Sequence, residues 1–303
     1  MPAIGFKYPE GDKILFEDVV KYVVSRGIDN KLDVERMGMY PPALLEMMKV
    51  RKPDRKPSVT ELLNGTCQAY LERTRDFYID PQEQAFALLG TTHHKTLEAN
   101  AKESDAEQEL ELWDITGIVD LYDSKRKNLV DYKSTGSYKA SKVLGLDFYL
   151  ADDPTGEVYK RSGRWGKKGE PKKVKRYWRN PEKAELGDWS WQINMYRLML
   201  QSQGKKVHNM YVQMIVRDGG VAASRDRGID RNIYLIEVPF IHDDHLKEKF
   251  ISKRDLLLEA LKSREIPDKC SDSETWGGIK CERFCPVREF CPHISPYTIE
   301  GDD

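Results

Sequence analysis

Asp120, Asp131 and Lys133 are the residues of this sequence whose types and spacing most readily do chemistry. They lie in ITGIVDLYDSKRKNLVDYKS, Ile115–Ser134. Asp131 and Lys133 are two residues apart, so on a strand they project to the same face, with Val130 and Tyr132 on the other. A hairpin through Asp123–Lys127 brings Asp120 toward Asp131. Two carboxylates in one small volume repel each other. A divalent cation relieves that cost, and Mg²⁺ or Mn²⁺ suits hard oxygen ligands. A lysine beside them orients an attacking water or offsets charge developing on a phosphate. The metal would acidify that water and polarise the phosphate. The pattern points to metal-assisted phosphodiester hydrolysis, although D-x-K alone is also ordinary content of a polar surface hairpin.

Flanking segments add candidates. GTTHHKTLE places Gly90, His94 and Glu98 at four-residue intervals. On a helix His94 and Glu98 share a face, so His94 can give an imidazole nitrogen to the metal and Glu98 can support the site. His93 points about 100° away and is the poorer candidate. WSWQINMYRLML places Gln192 and Tyr196 one helical turn apart, with Met195, Leu198 and Met199 available for packing. Gln192 could bond a phosphate or nucleotide, with Tyr196 supporting it. Taken alone, that pair fits packing better than function.

The elements that must position these residues follow from periodicity and punctuation. Short amphipathic helices are expected over Leu15–Arg26 and Ala43–Val50, so residues 1–57 read as a helical appendage whose role is not legible. Ser58 or Thr60 caps a helix from Glu61 toward Arg75. Pro81 opens a helix over Gln82–Glu98. Leu110–Tyr122 and Asn128–Lys133 read as two strands of a hairpin. Asp152–Glu185 breaks the pattern, being rich in Gly, Pro, Lys and Arg. A helix follows over Asp188–Gln203, strands over His208–Arg217 and Asn232–Pro239, and a long helix over Asp243–Arg264. The order indicates an α/β or α+β core.

The cysteines suggest a second site. CERFCPVREFC supplies Cys281, Cys285 and Cys291. Three thiols at this density in a Pro-containing segment read as thiolate ligands. A fourth comes from Cys67 or Cys270, and sequence proximity alone favours Cys270. Such a set holds a [4Fe–4S] cluster or Zn²⁺, and the thiolate chemistry does not choose between them. An odd count of five argues against a disulfide framework.

Bulk properties exclude some classes. The 303 residues carry a formal net charge of only -1, so any nucleic-acid surface must come from local charge separation. The stretch KRSGRWGKKGEPKKVKRYWRN, Lys160–Asn180, offers one, with Trp165, Tyr177 and Trp178 among the basic residues. No apolar run reaches membrane-spanning length. The first residues lack a secretory core, so a cytoplasmic location is expected. No phosphate-binding G-x-x-x-x-G-K-[ST] loop is present, so a helicase motor would be another chain.

Taken in order, these residues resemble the RecB-type branch of the PD-(D/E)XK nuclease superfamily. The matching pieces are Gly90, His94 and Glu98; ITG-x-x-D ending at Asp120; V-D-Y-K at Val130–Lys133; and Q-x-x-x-Y at Gln192 and Tyr196. The resemblance covers about Ser58 to Pro292. It implies a restriction-endonuclease-like core, a central mixed sheet flanked by helices, within a nuclease domain over residues 58–299. That domain would carry the basic insertion at 152–185 and the cysteine segment at 270–292. It implies His94, Asp120, Asp131 and the Tyr132 carbonyl as Mg²⁺ or Mn²⁺ ligands, Lys133 as catalytic lysine, and Gln192 and Tyr196 on a DNA-facing helix. SVTELLNGTCQAY resembles the segment that gives the first cysteine in iron–sulfur members, including CRISPR-associated and phage exonucleases. The implied ligand set is Cys67, Cys281, Cys285 and Cys291 around a [4Fe–4S] cluster that staples the domain ends, with Cys270 spare. The implied activity is a DNA exonuclease or end-processing nuclease acting on single strands or free ends in recombination, repair, phage DNA metabolism or CRISPR adaptation, beside a helicase, recombination or CRISPR partner. Two alternatives are a non-catalytic DNA-binding or assembly protein of the same fold, and an RNA nuclease. The oligomeric state is not legible.

Overall fold

The computed structural model describes residues 56–75, 77, 81–99, 108–164 and 166–294. The helices expected over Leu15–Arg26 and Ala43–Val50, and Trp165 of the basic stretch, lie outside the described residues. In chain order the elements are α1 (Val59–Leu63), α2 (Thr66–Thr74), α3 (Pro81–Glu98), β1 (Gln108–Leu112), β2 (Ile115–Val119), β3 (Leu121–Asp123), β4 (Asn128–Thr135), α4 (Ser137–Val143), β5 (Leu146–Asp152), β6 (Lys173–Arg179), α5 (Asp188–Ser202), β7 (Asn209–Val216), α6 (Ala222–Arg225), β8 (Ile233–Glu237), α7 (Asp243–Ser263), α8 (Asp272–Thr275) and α9 (Ile279–Arg283). Of the described residues, those up to 92, at 109–118 and from 242 onward form one compact unit. Those at 93–108 and 119–241 form the other.

In the first unit Ser58 caps α1 through a capping box with Glu61. The expected single helix over Glu61–Arg75 is two helices. Asn64 leaves α1 in an extended conformation and Gly65, also extended, begins α2. Gly65 is required by a close approach: a Cβ there would lie 2.2 Å from Cys270 Sγ. The long helix α7 packs on α1 and α2 and buries Leu246, Phe250 and Leu257. The expected strand over Leu110–Tyr122 is broken twice. Trp113 and Asp114 turn the chain between β1 and β2 with φ of 54° and 56°, and Asp120 interrupts the path from β2 to β3.

The second unit carries a four-stranded sheet of order β3-β4-β7-β8. β3 and β4 form the expected antiparallel hairpin, β4 and β7 run parallel, and β8 returns antiparallel to β7. Parallel neighbours need a long crossover, and here it carries α4, a β5–β6 ribbon and α5. β7 alternates strictly and buries Met210, Val212, Met214 and Val216. Register sets Leu129 beside Met210, Asp131 beside Val212 and Lys133 beside Met214. Paired residues in a ladder face the same side, so Asp131 enters the apolar row of the sheet.

Helix α5 packs over β4 and β7 and is buried from Gln192 to Leu200. Polar groups in such a position need partners. Asn194 donates to the Ser190 and Pro239 carbonyls, at 2.9 and 3.0 Å, and accepts the Ile241 amide at 2.9 Å. Arg197 donates to the Ile241 carbonyl at 3.0 Å. These bonds fix the helix against the segment leaving β8. The protein is thus a mixed α/β fold with a central mixed sheet flanked by helices. The reading of Asp152–Glu185 as irregular is corrected. β6 pairs with all of β5, from Leu146↔Arg179 to Asp152↔Lys173. No helix among the described residues is long and apolar enough to cross a membrane.

Candidate reaction site and the cysteine cavity

Strand β4, the bend before β3, helix α5 and the end of α3 bring His94, Asp120, Asp131, Lys133, Gln192 and Tyr196 into two linked hydrogen-bond and charge chains within the second unit. In the first, the Tyr132 amide donates to Asp120 Oδ2 at 2.7 Å, and Asp120 Oδ1 lies 3.2 Å from His94 Nδ1. The Asp120 carboxylate raises the His94 pKa above its ordinary value, against the opposing effect of burial. In the second, Lys133 Nζ is 2.9 Å from Asp131 Oδ2 and donates to Gln192 Oε1 at 2.9 Å. Gln192 Nε2 continues to the Tyr196 hydroxyl, also at 2.9 Å. The one-turn spacing of Gln192 and Tyr196 on α5 makes that last contact possible.

Asp131 is 2 % exposed. Its Oδ2 has the lysine charge nearby but no hydrogen bond of good geometry. Burial in the apolar row pushes its pKa up, more strongly than Lys133 pulls it down. A buried carboxylate held this way is costly to ionise, which is frequent where a side chain is kept for chemistry rather than stability.

Glu98 ends α3, and its side chain lies outside the described ones. His93, set aside as the poorer candidate, joins the site in another way. Its ring centroid is 6.0 Å from those of His94 and Tyr132. Both its ring nitrogens are buried without a hydrogen-bond partner among the described residues, and burial lowers its pKa. Helical spacing already set the two histidines apart in the sequence; that one would be held by a carboxylate and the other packed against Tyr132 was not visible there.

The metal expectations are corrected by the same geometry. Among the described residues, no group of three or more His, Cys, Asp or Glu side chains is placed to hold a metal ion. Both Asp120 oxygens are already occupied, by His94 and the Tyr132 amide, and Asp131 Oδ2 faces the Lys133 ammonium at 2.9 Å. The residues His94, Asp120, Asp131 and Tyr132 therefore do not fit the Mg²⁺ or Mn²⁺ site expected of them.

The cysteines, all in the first unit, line one small cavity together: Cys67, Cys270, Cys281, Cys285 and Cys291. Cys270, which the family resemblance leaves spare, is a direct partner of Cys67. The Cys67 thiol hydrogen-bonds the Cys270 sulfur, lowering the Cys270 pKa to about 6 and raising that of Cys67. Burial pushes Cys281 up and Cys285 up to about 11. The cavity has room for about 20 Å³, roughly one water molecule. Among the described residues no group of three or more His, Cys, Asp or Glu side chains is placed to hold a metal ion, and on that ground the expected [4Fe–4S] cluster, its zinc alternative and the staple they would form are corrected.

No family model, no curated protein and no solved structure matches the chain. The labels of a metal-dependent, iron–sulfur, RecB-like hydrolase thus have neither a metal-holding group among the described residues nor a matching relative behind them.

Proposed function

We propose that the protein cleaves phosphodiester bonds in DNA at the His94–Asp120 and Asp131–Lys133–Gln192 group, on a core arranged as in the PD-(D/E)XK proteins its sequence resembles. The observation that carries this reading is the meeting of a carboxylate-held histidine with a lysine held over a buried carboxylate, within one unit. Asp120 at Nδ1 sets the histidine tautomer and leaves Nε2 to take or give a proton. An ammonium has three N–H donors. Two face Asp131 and Gln192, so the third is available for a non-bridging phosphate oxygen. Water attacks phosphorus, the bond to the leaving oxygen breaks, and one product keeps the phosphate while the other takes the proton as a hydroxyl. Lys133 offsets the charge that grows on the phosphate oxygens, and such electrostatic stabilisation is usually the largest single contribution to catalysis. Gln192 and Tyr196 fix the lysine from the helix side.

The β5–β6 ribbon supports DNA as the substrate. Lys172 pairs with Glu157 and Lys173 lies 2.5 Å from Asp152. The ribbon also exposes Lys175, Arg176 and Arg179, which suit a phosphate backbone.

A second reading, a DNA-binding protein without cleavage, is favoured by one observation: both oxygens of Asp120 are engaged by groups of the chain itself. A panel of end-labelled single-stranded DNA, duplex DNA and RNA, in a buffer of physiological ionic composition, separates the readings. Cleavage of DNA in preference to RNA is expected, with short products from an end if the action is exonucleolytic. Tight DNA binding with every strand intact would select the second reading, and preferential RNA cleavage would move the substrate class.

A further inference from the structure

A cavity of about 680 Å³ opens in the second unit at the foot of the β5–β6 ribbon, and none of its lining residues belongs to the reaction site. Its apolar wall is formed by Leu144, Leu146 and Ile229. Three guanidinium-bearing residues from three different segments complete it: Arg179 of β6, Arg225 of α6 and Arg231 just before β8. Leu146 pairs with Arg179 and Phe148 with Tyr177. Two-residue spacing therefore sends Tyr177 and Arg179 to one face of the ribbon.

The walls are held in place. The Tyr177 hydroxyl donates to the Asp226 carbonyl, and its ring rests on Gly228, where φ is +79° and a Cβ would come within 2.5 Å of the ring. Only glycine serves at that point. Tyr234 donates to Asp230 at 2.7 Å and receives the amides of Asp230 and Arg231 at 3.1 and 3.0 Å. The single acidic residue of the lining, Asp230, is thereby engaged. Its carboxylate is 3.9 Å from Arg231 Nε, and Arg225 donates to the Gly220 carbonyl at 2.6 Å. Three arginines against one aspartate leave the cavity net positive.

Planar guanidinium forks match phosphate oxygens. Apolar and aromatic walls match a nucleobase, and the volume falls in the range of about 300–1,000 Å³ usual for small-ligand sites. We propose that this cavity binds one nucleotide unit of a single DNA strand, with its phosphate on the arginines and its base against the Tyr177–Leu146 wall. The proposal rests on the reading of the protein as one that handles DNA. It adds a strand-holding site separate from the reacting residues.

Calorimetric titration of the full chain with deoxyadenosine monophosphate, deoxyadenosine and inorganic phosphate tests it. The monophosphate is expected to bind, and the nucleoside and phosphate alone to bind at least about tenfold more weakly, because each lacks half of the contacts. Arg179→Ala and Arg231→Ala change exposed side chains, and unchanged melting curves would confirm that they fold. Each is expected to weaken the monophosphate about tenfold and to lower the salt slope of single-strand binding by about one. No binding of the monophosphate, phosphate binding equal to it, or wild-type affinity in both arginine variants overturns the proposal. DNA cleavage is measured on the same samples. If the wild type cleaves DNA while both variants bind the nucleotide normally, the cavity proposal fails and the reaction site stands. If the nucleotide binds as expected and no strand is cleaved, the cavity stands and the reading of the reaction site fails.

Discussion

Asp131→Asn is expected to lower DNA cleavage by about a hundredfold or more, because Lys133, which offsets the charge growing on the phosphate, loses the carboxylate it faces, while the protein melts at or above the wild-type temperature. The two effects share a cause. Asp131 sits in the apolar row beside Val212, and burial raises its pKa despite Lys133. A carboxyl with a raised folded pKa favours folding below its unfolded value, about 3.9. That contribution is lost as pH rises through the folded value. Wherever the side chain is ionised, its charge is therefore a burden on the fold. Asparagine keeps the shape and removes the charge, and Lys133 retains Gln192. The melting temperature of the variant relative to wild type should rise from acid to neutral pH. A variant that melts well below wild type at neutral pH, or that cleaves normally, would show that Asp131 is a structural partner of Lys133 and nothing more.

Asp120→Asn should have the next largest effect, a fall in cleavage of about a hundredfold, because it releases His94. The carboxylate is the main cause of the raised His94 pKa, so the variant should titrate this imidazole at lower pH, readable from its ring proton resonances. The stability consequence has the opposite dependence from that of an ordinary carboxylate. A histidine with a raised folded pKa stabilises fully below its unfolded value, about 6.5. The contribution disappears as pH rises through the folded value. The melting gap between wild type and variant should thus be widest in mildly acid solution and narrow toward alkaline pH. It should also be small, since the His94 side chain is 31 % exposed and solvent screens the pair. Asparagine can still accept the Tyr132 amide, which keeps the bend before β3 intact. An unchanged titration midpoint would remove Asp120 from the role assigned to it.

The parts of the site legible in the sequence are those that depend on local periodicity. Spacing of two put Asp131 and Lys133 on one face of β4. Spacing of four put Gln192 beside Tyr196 on α5, where they are hydrogen-bonded. The β3–β4 hairpin and the ends of α3, α5 and α7 also follow from pattern, caps and punctuation. What the sequence hid is pairing across distance. A tally of carboxylates suggested metal ligands, because it could not show that Asp120 would be used by an amide and a histidine. Likewise, sequence proximity favoured Cys270 as a fourth ligand and the resemblance left it spare, but neither showed that Gly65 lets its sulfur approach α2 and meet Cys67.

The strands show the same division. The alternation of β7 is strict, since one of its faces is core. β6, KVKRYWR, is mostly exposed, and its basic charge masked the β-formers Val174, Tyr177 and Trp178. Its pairing with β5 supplies the order that composition concealed. Trp113 and Asp114 broke an apparently continuous strand by adopting a left-handed conformation that no glycine announced.

The most direct measurement is single-turnover cleavage of an end-labelled DNA strand by wild type and Lys133→Ala, with binding of the same strand followed in parallel. Lys133 lies between Asp131 and Gln192, where it can act on a phosphate without being needed for the rest of the strand. Wild type is expected to cleave, and Lys133→Ala to cleave about a hundredfold more slowly or less, with an affinity within about threefold of wild type. Cleavage by Lys133→Ala at the wild-type rate, or no cleavage by wild-type protein that binds the strand, would contradict the assignment of this site to phosphodiester chemistry.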